Sequence, residues 1–229
     1  MTNSKRNVDT ESLRRGAATD WFDEIYARAN GDVRGVPWAH LKPRAAFAEW
    51  VRRHNVRSDG QRALVVGCGL GDDAQELAAR GFAVTAFDIA PTAIAWCQER
   101  FPDSPVNYVV ADMFSPPAAW IGSFDLVLEI FTVQALPITI RQQAAAAVSQ
   151  FVAPNGKLLV VCMGAHECGE RSGPPWPLTR AETHLFQHNG LAETNFEVFM
   201  GGNQAPVLRS APTQWRIEYQ RMTQGKTER

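Results

Sequence analysis

The middle of this chain alternates between short apolar runs and segments whose apolar residues have helical spacing. Unbroken apolar runs bounded by turn residues predict buried strands, and spacings of three and four predict helices. Five such runs predict the first five strands, at residues 63–67, 82–88, 106–112, 124–131 and 157–163. Because strands that alternate with helices form parallel sheets covered on both faces, we expect a doubly wound α/β sheet.

The helices between these strands carry start and stop signals. Asp72 or Asp73 begins the helix after the first strand, and Gly81 ends it. Pro91 opens the next helix, because proline suits a first helical turn. A further helix is predicted over residues 138–152, before the fifth strand.

The end of the chain departs from this alternation. Thr179 and Glu182 have the spacing of a capping box, so a helix is expected from Thr179 to about residue 188. Residues 191–200 and 212–222 then predict two strands joined by a loop. Two late strands connected in this way indicate an antiparallel addition at the edge of the sheet. The pattern therefore predicts a seven-stranded sheet, mostly parallel, with an antiparallel edge strand.

Two helices are predicted before the first strand. The first covers residues 21–30, and Pro43 opens a second that runs to about His54. Large apolar side chains share one face of the first helix, namely those of Trp21, Phe22, Ile25 and Tyr26. We expect residues 19–58 to form an N-terminal helical cover over a core of residues 59–222.

The composition is that of an ordinary globular domain. The chain has 229 residues, a hydrophobic fraction of 45%, a charged fraction of 21% and a formal net charge of -1. One domain over residues 19–222 fits this length, with a mobile polar tail at residues 1–18 and a C-terminal tail at residues 223–229. We expect a monomer or weak homodimer.

Charge and cysteine usage exclude several classes of partner. A near-zero net charge gives no basis for a nucleic-acid or anionic-membrane partner. No apolar run approaches the roughly 20 residues of a membrane helix, and the polar N-terminus lacks the apolar core of a signal peptide. The four cysteines form no CxxC pair, so we expect no metal site, no disulfide framework and a cytoplasmic location.

The segment GCGLGDD after the first strand is a candidate nucleotide loop. Gly67, Gly69 and Gly71 permit close backbone approach, and the following helix offers free N–H groups. The dinucleotide fingerprint GxGxxG would need its third glycine where the chain has Asp72. Asp72 and Asp73 would repel a pyrophosphate but attract the sulfonium and ammonium groups of S-adenosylmethionine. The loop favours that cofactor over NAD, although both acids also fit as helix caps.

Acids also end the next strands. Asp88 lies at the end of the second strand, where an acid accepts hydrogen bonds from ribose hydroxyls. Asp112 ends the third strand within reach of an adenine amino group, and Met113 offers a backbone N–H and an apolar wall. Glu129 ends the fourth strand, at the edge where ligands sit in open α/β sheets.

The order GCGLG, FDIA, ADMF and FDLVLE over residues 63–163 resembles class I S-adenosylmethionine-dependent methyltransferases. Most members carry an acid two residues before the first glycine, where this chain has Val65. The loop ALVVGCGLGDD resembles the branch of thiopurine, thiol and halide methyltransferases, whose loop is typically VPGCGxGxD, with Asp73 matching its acid. The resemblance implies a Rossmann-like fold and S-adenosylmethionine as the cofactor.

A second resemblance to this branch lies upstream. Trp21, Tyr26 and the segment GVPW at residues 35–38 are similar to N-terminal W…W…PWD elements that help cover the cofactor, with Ala39 in place of the aspartate. The resemblance and the strand ends together give a set of cofactor-binding candidates: Gly67, Cys68, Gly69, Gly71, Asp73, Asp88, Ile89, Asp112, Met113, Glu129, Trp21 and Trp38.

Methyl transfer from a sulfonium is an in-line displacement with a neutral leaving group, so the enzyme mainly aligns the acceptor in a dry site. A thiolate or halide acceptor needs no base, whereas a phenol or amine can require one. The candidates for a base or orienting group are His166, His40 and Glu129. The candidates for acceptor binding are Trp38, Thr132, Gln134, His166 and Trp176, with residues 164–178 as a substrate loop.

These patterns predict a methyltransferase acting on a small molecule, with a thiol or other soft sulfur as the first choice of acceptor. O- or N-methylation of an aromatic or heterocyclic small molecule is the alternative within the enzyme class. Two other classes stay open: an NAD-dependent oxidoreductase, which Asp72 disfavours, and a non-catalytic S-adenosylmethionine-binding protein.

Overall fold

A sheet with its helices on both faces organises the computed structural model, which describes residues 10–165, 173–199 and 213–222, with side chains from residue 19 onward. The helices lie at α1 Thr10–Ala29, α2 Ala45–Arg53, α3 Asp72–Ala79, α4 Pro91–Arg100, α5 Arg141–Ser149 and α6 Arg180–Thr183. The strands lie at β1 Arg62–Val66, β2 Ala83–Asp88, β3 Asn107–Val110, β4 Phe124–Ile130, β5 Val152–Met163, β6 Leu191–Phe199 and β7 Gln214–Arg221.

The strand order, within the described part of the chain, is β3-β2-β1-β4-β5-β7-β6. The pairs of β1 with β2 and β4, of β2 with β3, and of β4 with β5 are parallel. Strand β7 is antiparallel to both β5 and β6, which confirms the predicted mixed sheet with its antiparallel addition at one edge. The chain reverses its direction of travel across the sheet between β1 and β4, and such switch points hold the ligands of open α/β sheets.

Strand β1 shows why this middle segment is apolar. Leu64 and Val66 belong to the core on one face of the sheet, and Ala63 and Val65 belong to the core on the other face. All four are buried, as expected for a central strand covered on both sides. Val65, at the position where the methyltransferases that the sequence resembles usually carry an acid, is a core residue.

Two element boundaries correct the sequence-based prediction. Helix α1 begins at Thr10, so half of the predicted N-terminal tail is helical. Its first turns are polar and carry no apolar period, which is why the pattern starts the helix at Trp21. Strand β5 begins at Val152, five residues before the predicted start at residue 157. Pro154 and Asn155 indicate a turn in the sequence, but they lie in an irregular first part of the strand, where Val152 pairs with Phe124.

The predicted helix over residues 138–152 is also shorter than expected. A 3-10 turn at Ile138–Ile140 leads into α5, which ends at Ser149. The capping box of Thr179 and Glu182 is confirmed, but α6 ends at Thr183 and a 3-10 turn at His184–Phe186 continues it. Among the described residues, no helix combines the length and apolar character needed to cross a membrane.

Candidate active site

The glycine loop has a backbone that only glycine adopts readily. Gly67, Gly69 and Gly71 have φ values of 58°, 54° and 86°. A Cβ on Gly67 would lie 2.5 Å from Oγ1 of Thr132, and a Cβ on Gly71 would lie 2.5 Å from the hydroxyl oxygen of Tyr108. The loop therefore needs glycine both for its conformation and for its close packing.

The two acids after the loop are in different electrostatic surroundings. Asp72 forms an ion pair of 2.9 Å with Arg100 of α4. Asp73 accepts a hydrogen bond of 2.8 Å from the backbone N–H of Arg44, and burial raises the pKa of its carboxyl to about 6. Arg100 thus offsets the charge of Asp72, and Asp73 is the acid better placed to act on a bound cation.

The acid that ends β2 holds the glycine loop in place. Asp88 is 8% exposed and accepts hydrogen bonds from the backbone N–H groups of Gly69, at 2.9 Å, and Ala90, at 3.0 Å. Burial raises the pKa of this carboxyl above its ordinary value. Each carboxylate oxygen has a second lone pair, so Asp88 retains the capacity to accept from a ligand hydroxyl.

A cavity of about 630 Å³ opens at the carboxyl ends of the strands, between β1 and the N-terminal cover. Most of the predicted cofactor residues lie on its wall, namely Gly67, Cys68, Gly69, Gly71, Asp73, Asp88, Ile89, Asp112, Met113, Trp21 and Trp38. Asp112 also accepts a hydrogen bond of 2.8 Å from the backbone N–H of Phe114, which orders the turn after β3. The structure thus brings this set to one surface.

Aromatic side chains of the cover close the cavity on one side. The ring of Trp38 donates a hydrogen bond of 2.7 Å to the hydroxyl of Tyr26 and meets Trp21 edge-on at 5.9 Å between ring centroids. Tyr26 is 2% exposed, and burial raises its pKa. A Cβ on Gly69 would lie 3.4 Å from the Tyr26 hydroxyl, so the cover is packed directly onto the glycine loop.

Glu129 is not among the residues that line the cavity, whereas the sequence predicted that it contacts the cofactor or the acceptor directly. It is 1% exposed, and Oε1 accepts hydrogen bonds from the backbone N–H groups of Thr132, at 2.7 Å, and Val133, at 2.9 Å. Its Oε2 has no hydrogen-bond partner among the described residues, and burial raises the pKa to about 7. Glu129 positions the turn that carries Phe131 and Thr132.

Two predicted acceptor contacts also have a structural role. Gln134 is 1% exposed, and its side-chain oxygen accepts a hydrogen bond of 2.7 Å from the backbone N–H of Met163. Trp176 donates its backbone N–H to the carbonyl of Gln134 at 2.8 Å, and neither residue lies on the cavity wall. Their neighbours Pro174 and Pro175 lie there instead, because the backbone path decides which residues of the segment face inward.

The remaining predicted residues divide into two groups. Thr132 lies on the wall, and its hydroxyl donates to the carbonyl of Val66 at 3.1 Å. His40 also lies on the wall, and burial, then Arg44 and Lys42, lower its pKa. His166 lies outside the described residues, so its predicted role stays a prediction.

The structure adds wall residues that the sequence pattern did not single out. An apolar surface, called the acceptor wall below, consists of Phe131, Leu136, Met163, Pro174 and Pro175. Lys42 and Arg44 follow His40 in the loop before α2, and the Arg44 guanidinium lies 5.0 Å from the ring centroid of Phe131. The acceptor wall comes from three separate segments, so no single motif marks it; the basic spacing of residues 40, 42 and 44 was the one available signal.

A family model and a curated relative match this chain. The model of the thiopurine S-methyltransferase family matches residues 33–199. A protein of Arabidopsis thaliana described as probable thiol methyltransferase 2 is 27% identical over 155 residues, which are 66% of each chain. The chain therefore spans just under two thirds of the length of that relative.

Two solved structures share the fold at low sequence identity. One, from work on the conversion of a disulfide bond into a thioacetal group in echinomycin biosynthesis, is 20% identical with a TM-score of 0.69 and covers 89% of this chain and 91% of its own. The other is the 1,6-didemethyltoxoflavin-N1-methyltransferase of Burkholderia thailandensis with bound S-adenosylhomocysteine, which is 15% identical with a TM-score of 0.66 and covers 94% and 92%.

These matches agree with the methyltransferase resemblance of the glycine loop and the strand-end segments, which lie within the matched residues. The two structures support the Rossmann-like fold, and the family model spans well over half of the chain. The predicted resemblance is confirmed: this chain belongs to the thiopurine S-methyltransferase family, a branch of the class I S-adenosylmethionine-dependent methyltransferases.

Proposed function

We propose that this protein transfers a methyl group from S-adenosylmethionine to a small molecule, with a thiol or other soft sulfur as the preferred acceptor atom. The observation that carries the proposal is one cavity with two unlike sides. One side consists of the glycine loop and the strand-end acids, and the other is the acceptor wall. A donor and an acceptor held in one such cavity meet without crossing bulk water.

The residues of the first side suit this cofactor. Asp88 offers acceptor oxygens for ribose hydroxyls, and Asp112 and Met113 border the place for the adenine ring. Asp73 provides negative charge near the N-terminus of α3, which favours a cation over a pyrophosphate. When bound, S-adenosylmethionine supplies an electrophilic methyl group on a sulfonium.

The residues of the second side suit alignment and exclusion of water. Trp21 and Trp38 shield the cavity, and their ring faces favour a cation next to them. Phe131 and Met163 present an aromatic and a polarizable surface to the acceptor. A thiolate needs no proton acceptor in this arrangement, so orientation by the acceptor wall accounts for most of the catalytic effect we propose.

His40 supports a second candidate function. Its imidazole lies on the cavity wall with a lowered pKa, so it is neutral near pH 7 and can accept a proton. Phenols and N–H heterocycles need a proton acceptor more than thiols do. O- or N-methylation of such acceptors is therefore the alternative within the same site.

Calorimetry tests the cofactor part of the proposal. S-adenosylmethionine and S-adenosylhomocysteine should both bind to the wild-type protein, and Asp88→Ala should remove this binding because the glycine loop loses its anchor. Asp103→Ala, an exposed acid outside the cavity, is the matched control and should bind like wild type. Failure of the wild-type protein to bind either compound would overturn the proposal.

A methyl-transfer screen tests the acceptor. Thiols, halides, phenols and heterocyclic amines are offered with S-adenosylmethionine, and formation of S-adenosylhomocysteine is measured. Turnover of thiols above the other classes supports the preferred acceptor. Turnover of phenols or amines that falls in His40→Ala, with thiols unreactive, would replace it by the alternative.

A further inference from the structure

Charged side chains on the cavity wall are divided by sign. The acids Asp72, Asp73, Asp88 and Asp112 lie on the glycine loop, the start of α3 and the strand ends. The cationic residues Lys42 and Arg44 come from one loop, called the basic loop below, which also carries the neutral imidazole of His40. Basic residues in such a cavity suit an anionic group, which is either the carboxylate of the cofactor or a group on the methyl acceptor.

The acids and the basic residues also differ in their partners. Asp72 is paired with Arg100, and Asp88 accepts two backbone hydrogen bonds. In contrast, no carboxylate lies within ion-pair distance of Lys42 or Arg44 in the part of the chain that the structure describes. Asp73 acts on Arg44 electrostatically but forms no ion pair with it, so the guanidinium keeps N–H donors that a ligand can use.

Arg44 has the geometry of a prepared anion site. Its side chain is half-buried, its Nη2 donates a hydrogen bond of 2.8 Å to the carbonyl of Trp38, and its guanidinium lies over the ring of Phe131. These contacts hold the planar group in place and leave further N–H donors for a ligand. Burial lowers the pKa of Arg44 and the charge of Asp73 offsets only part of that effect, so an anionic ligand would stabilise the guanidinium further.

Phe131 shows at which side of the cavity that ligand would lie. It belongs to the acceptor wall, and its φ of 59° is unusual for a bulky residue and typical of functional sites. Glu129 maintains this turn through the N–H groups of Thr132 and Val133. An anion bound by Arg44 therefore lies against the surface that orients the acceptor.

We infer that the methyl acceptor carries an anionic group, a carboxylate or sulfonate, in addition to its nucleophilic atom, and that Arg44 and Lys42 bind this group. The inference rests on the proposed methyltransferase function and specifies its substrate class. Arg44 provides the oriented contact, and the exposed Lys42 adds attraction at the mouth of the cavity. The cofactor has a carboxylate of its own, so the experiment must separate the two sources.

Two matched probes test the inference: 4-mercaptobenzoate and 4-methylbenzenethiol, which share a ring and a thiol but differ in charge. The readout is the ratio of their kcat/KM values, because effects on folding or cofactor binding cancel in it. Arg44→Met should lower the ratio about tenfold through loss of a charge-assisted hydrogen bond. Lys42→Met should lower it about threefold because its side chain is exposed, and Arg44→Lys should retain part of the preference.

Controls come from basic residues outside the cavity. Arg57→Met and Lys157→Met remove an exposed charge of the same kind, and both should leave the ratio at its wild-type value. The preference should also shrink as salt is raised, because part of the attraction is screened. An unchanged ratio in Arg44→Met would overturn the inference.

Two further outcomes distinguish a failure of this inference from a failure of the proposed methyltransferase function. If Arg44→Met weakens S-adenosylhomocysteine binding and slows both probes equally, the carboxylate in question is the cofactor's and the inference is wrong. If wild type methylates neither probe, 4-mercaptobenzoate is titrated calorimetrically into the S-adenosylhomocysteine complex. Binding that Arg44→Met reduces supports the anion subsite although thiol turnover has failed, and absence of binding overturns it.

Discussion

The two sides of the cavity are built in different ways. The glycine loop and Asp88 come from one continuous stretch, and their geometry is a property of the backbone: positive φ angles and N–H groups held by a carboxylate. The acceptor wall and the basic loop come from segments far apart in the chain, and their geometry is a property of side-chain packing. The proposed cofactor side is thus encoded locally, and the proposed acceptor side depends on the assembled fold.

Among the changes that test this comparison, Gly67→Ala should have the largest effect, because it alters the backbone of the cofactor side. The added methyl group meets Thr132 at 2.5 Å in a backbone conformation that alanine disfavours, so S-adenosylhomocysteine binding should weaken about 100-fold. Gly60→Ala is the control, because Gly60 also has a positive φ, of 84°, but has no atom within 4 Å of its added Cβ. Equal affinities of the two variants, measured by calorimetry, would refute a role for close packing at Gly67.

Glu129→Ala should destabilise the turn that joins the two sides. Removing the carboxylate leaves the N–H groups of Thr132 and Val133 unpaired in a buried place, at a cost of about 2 kcal/mol in the free energy of unfolding. Urea denaturation measures this loss. Glu129→Gln keeps one acceptor oxygen and should lose less; a loss equal to that of the alanine variant would count against the hydrogen-bond explanation.

Wild type and Glu129→Gln can also be compared as a function of pH. Burial raises the pKa of Glu129 from 4.5 to about 7, so the native state holds this proton more tightly than the unfolded state. The stability this group contributes is fully present below pH 4.5 and is lost as pH rises to about 7. The stability difference between wild type and Glu129→Gln should therefore change across that window; a constant difference would contradict the raised pKa.

Tyr26→Phe tests whether the N-terminal cover contributes to cofactor binding, and its effect should be smaller. It removes the hydroxyl that accepts from Trp38, and S-adenosylhomocysteine binding should weaken about fivefold, the effect of one hydrogen bond. Tyr219→Phe is matched to it, because that buried hydroxyl donates to the carbonyl of Thr183 at 2.7 Å, away from the cavity. The control should lose stability but keep its affinity, and a similar loss of affinity in both would contradict a specific role for Tyr26.

Asp73→Asn should have the smallest effect on affinity, and this effect tests electrostatic attraction to the sulfonium specifically. The Asp73 carboxyl has a pKa of about 6, so its charge, and with it the preference for the sulfonium of S-adenosylmethionine over neutral S-adenosylhomocysteine, should increase as pH rises through that value. The increase in the affinity ratio should be about threefold, and Asp73→Asn should abolish it. Asp103→Asn, which removes an exposed acid outside the cavity, is the control and should leave the pH-dependent increase unchanged.

Much of the fold was predictable because each strand of the parallel sheet is an apolar run with turn residues at its ends. The errors occurred where a local signal was overridden by pairing or packing. Pro154 and Asn155 indicate a turn, yet both lie within β5. The polar start of α1 has no apolar period, yet it is helical from Thr10.

The candidate site divides in the same way. Gly67, Asp88 and Asp112, which line the cavity, were predicted because strand ends and glycines have characteristic positions along the chain. Glu129 and Gln134 were predicted contacts for the same reason, but their side chains turn into the protein and accept hydrogen bonds from backbone N–H groups. Whether a polar side chain at a strand end faces a ligand or the neighbouring loop depends on contacts that the local sequence does not contain.

The sequence by itself determined the class of fold, the family and the residues of the proposed cofactor side, because these depend on periodicity and on backbone conformations that near neighbours control. Only the tertiary structure decided the acceptor side. It brought Arg44 over the ring of Phe131, turned Pro174 and Pro175 inward, and left Lys42 and Arg44 without an ion pair to any acid among the described residues. The physical reason is that such contacts join distant segments, and packing across the whole domain selects them.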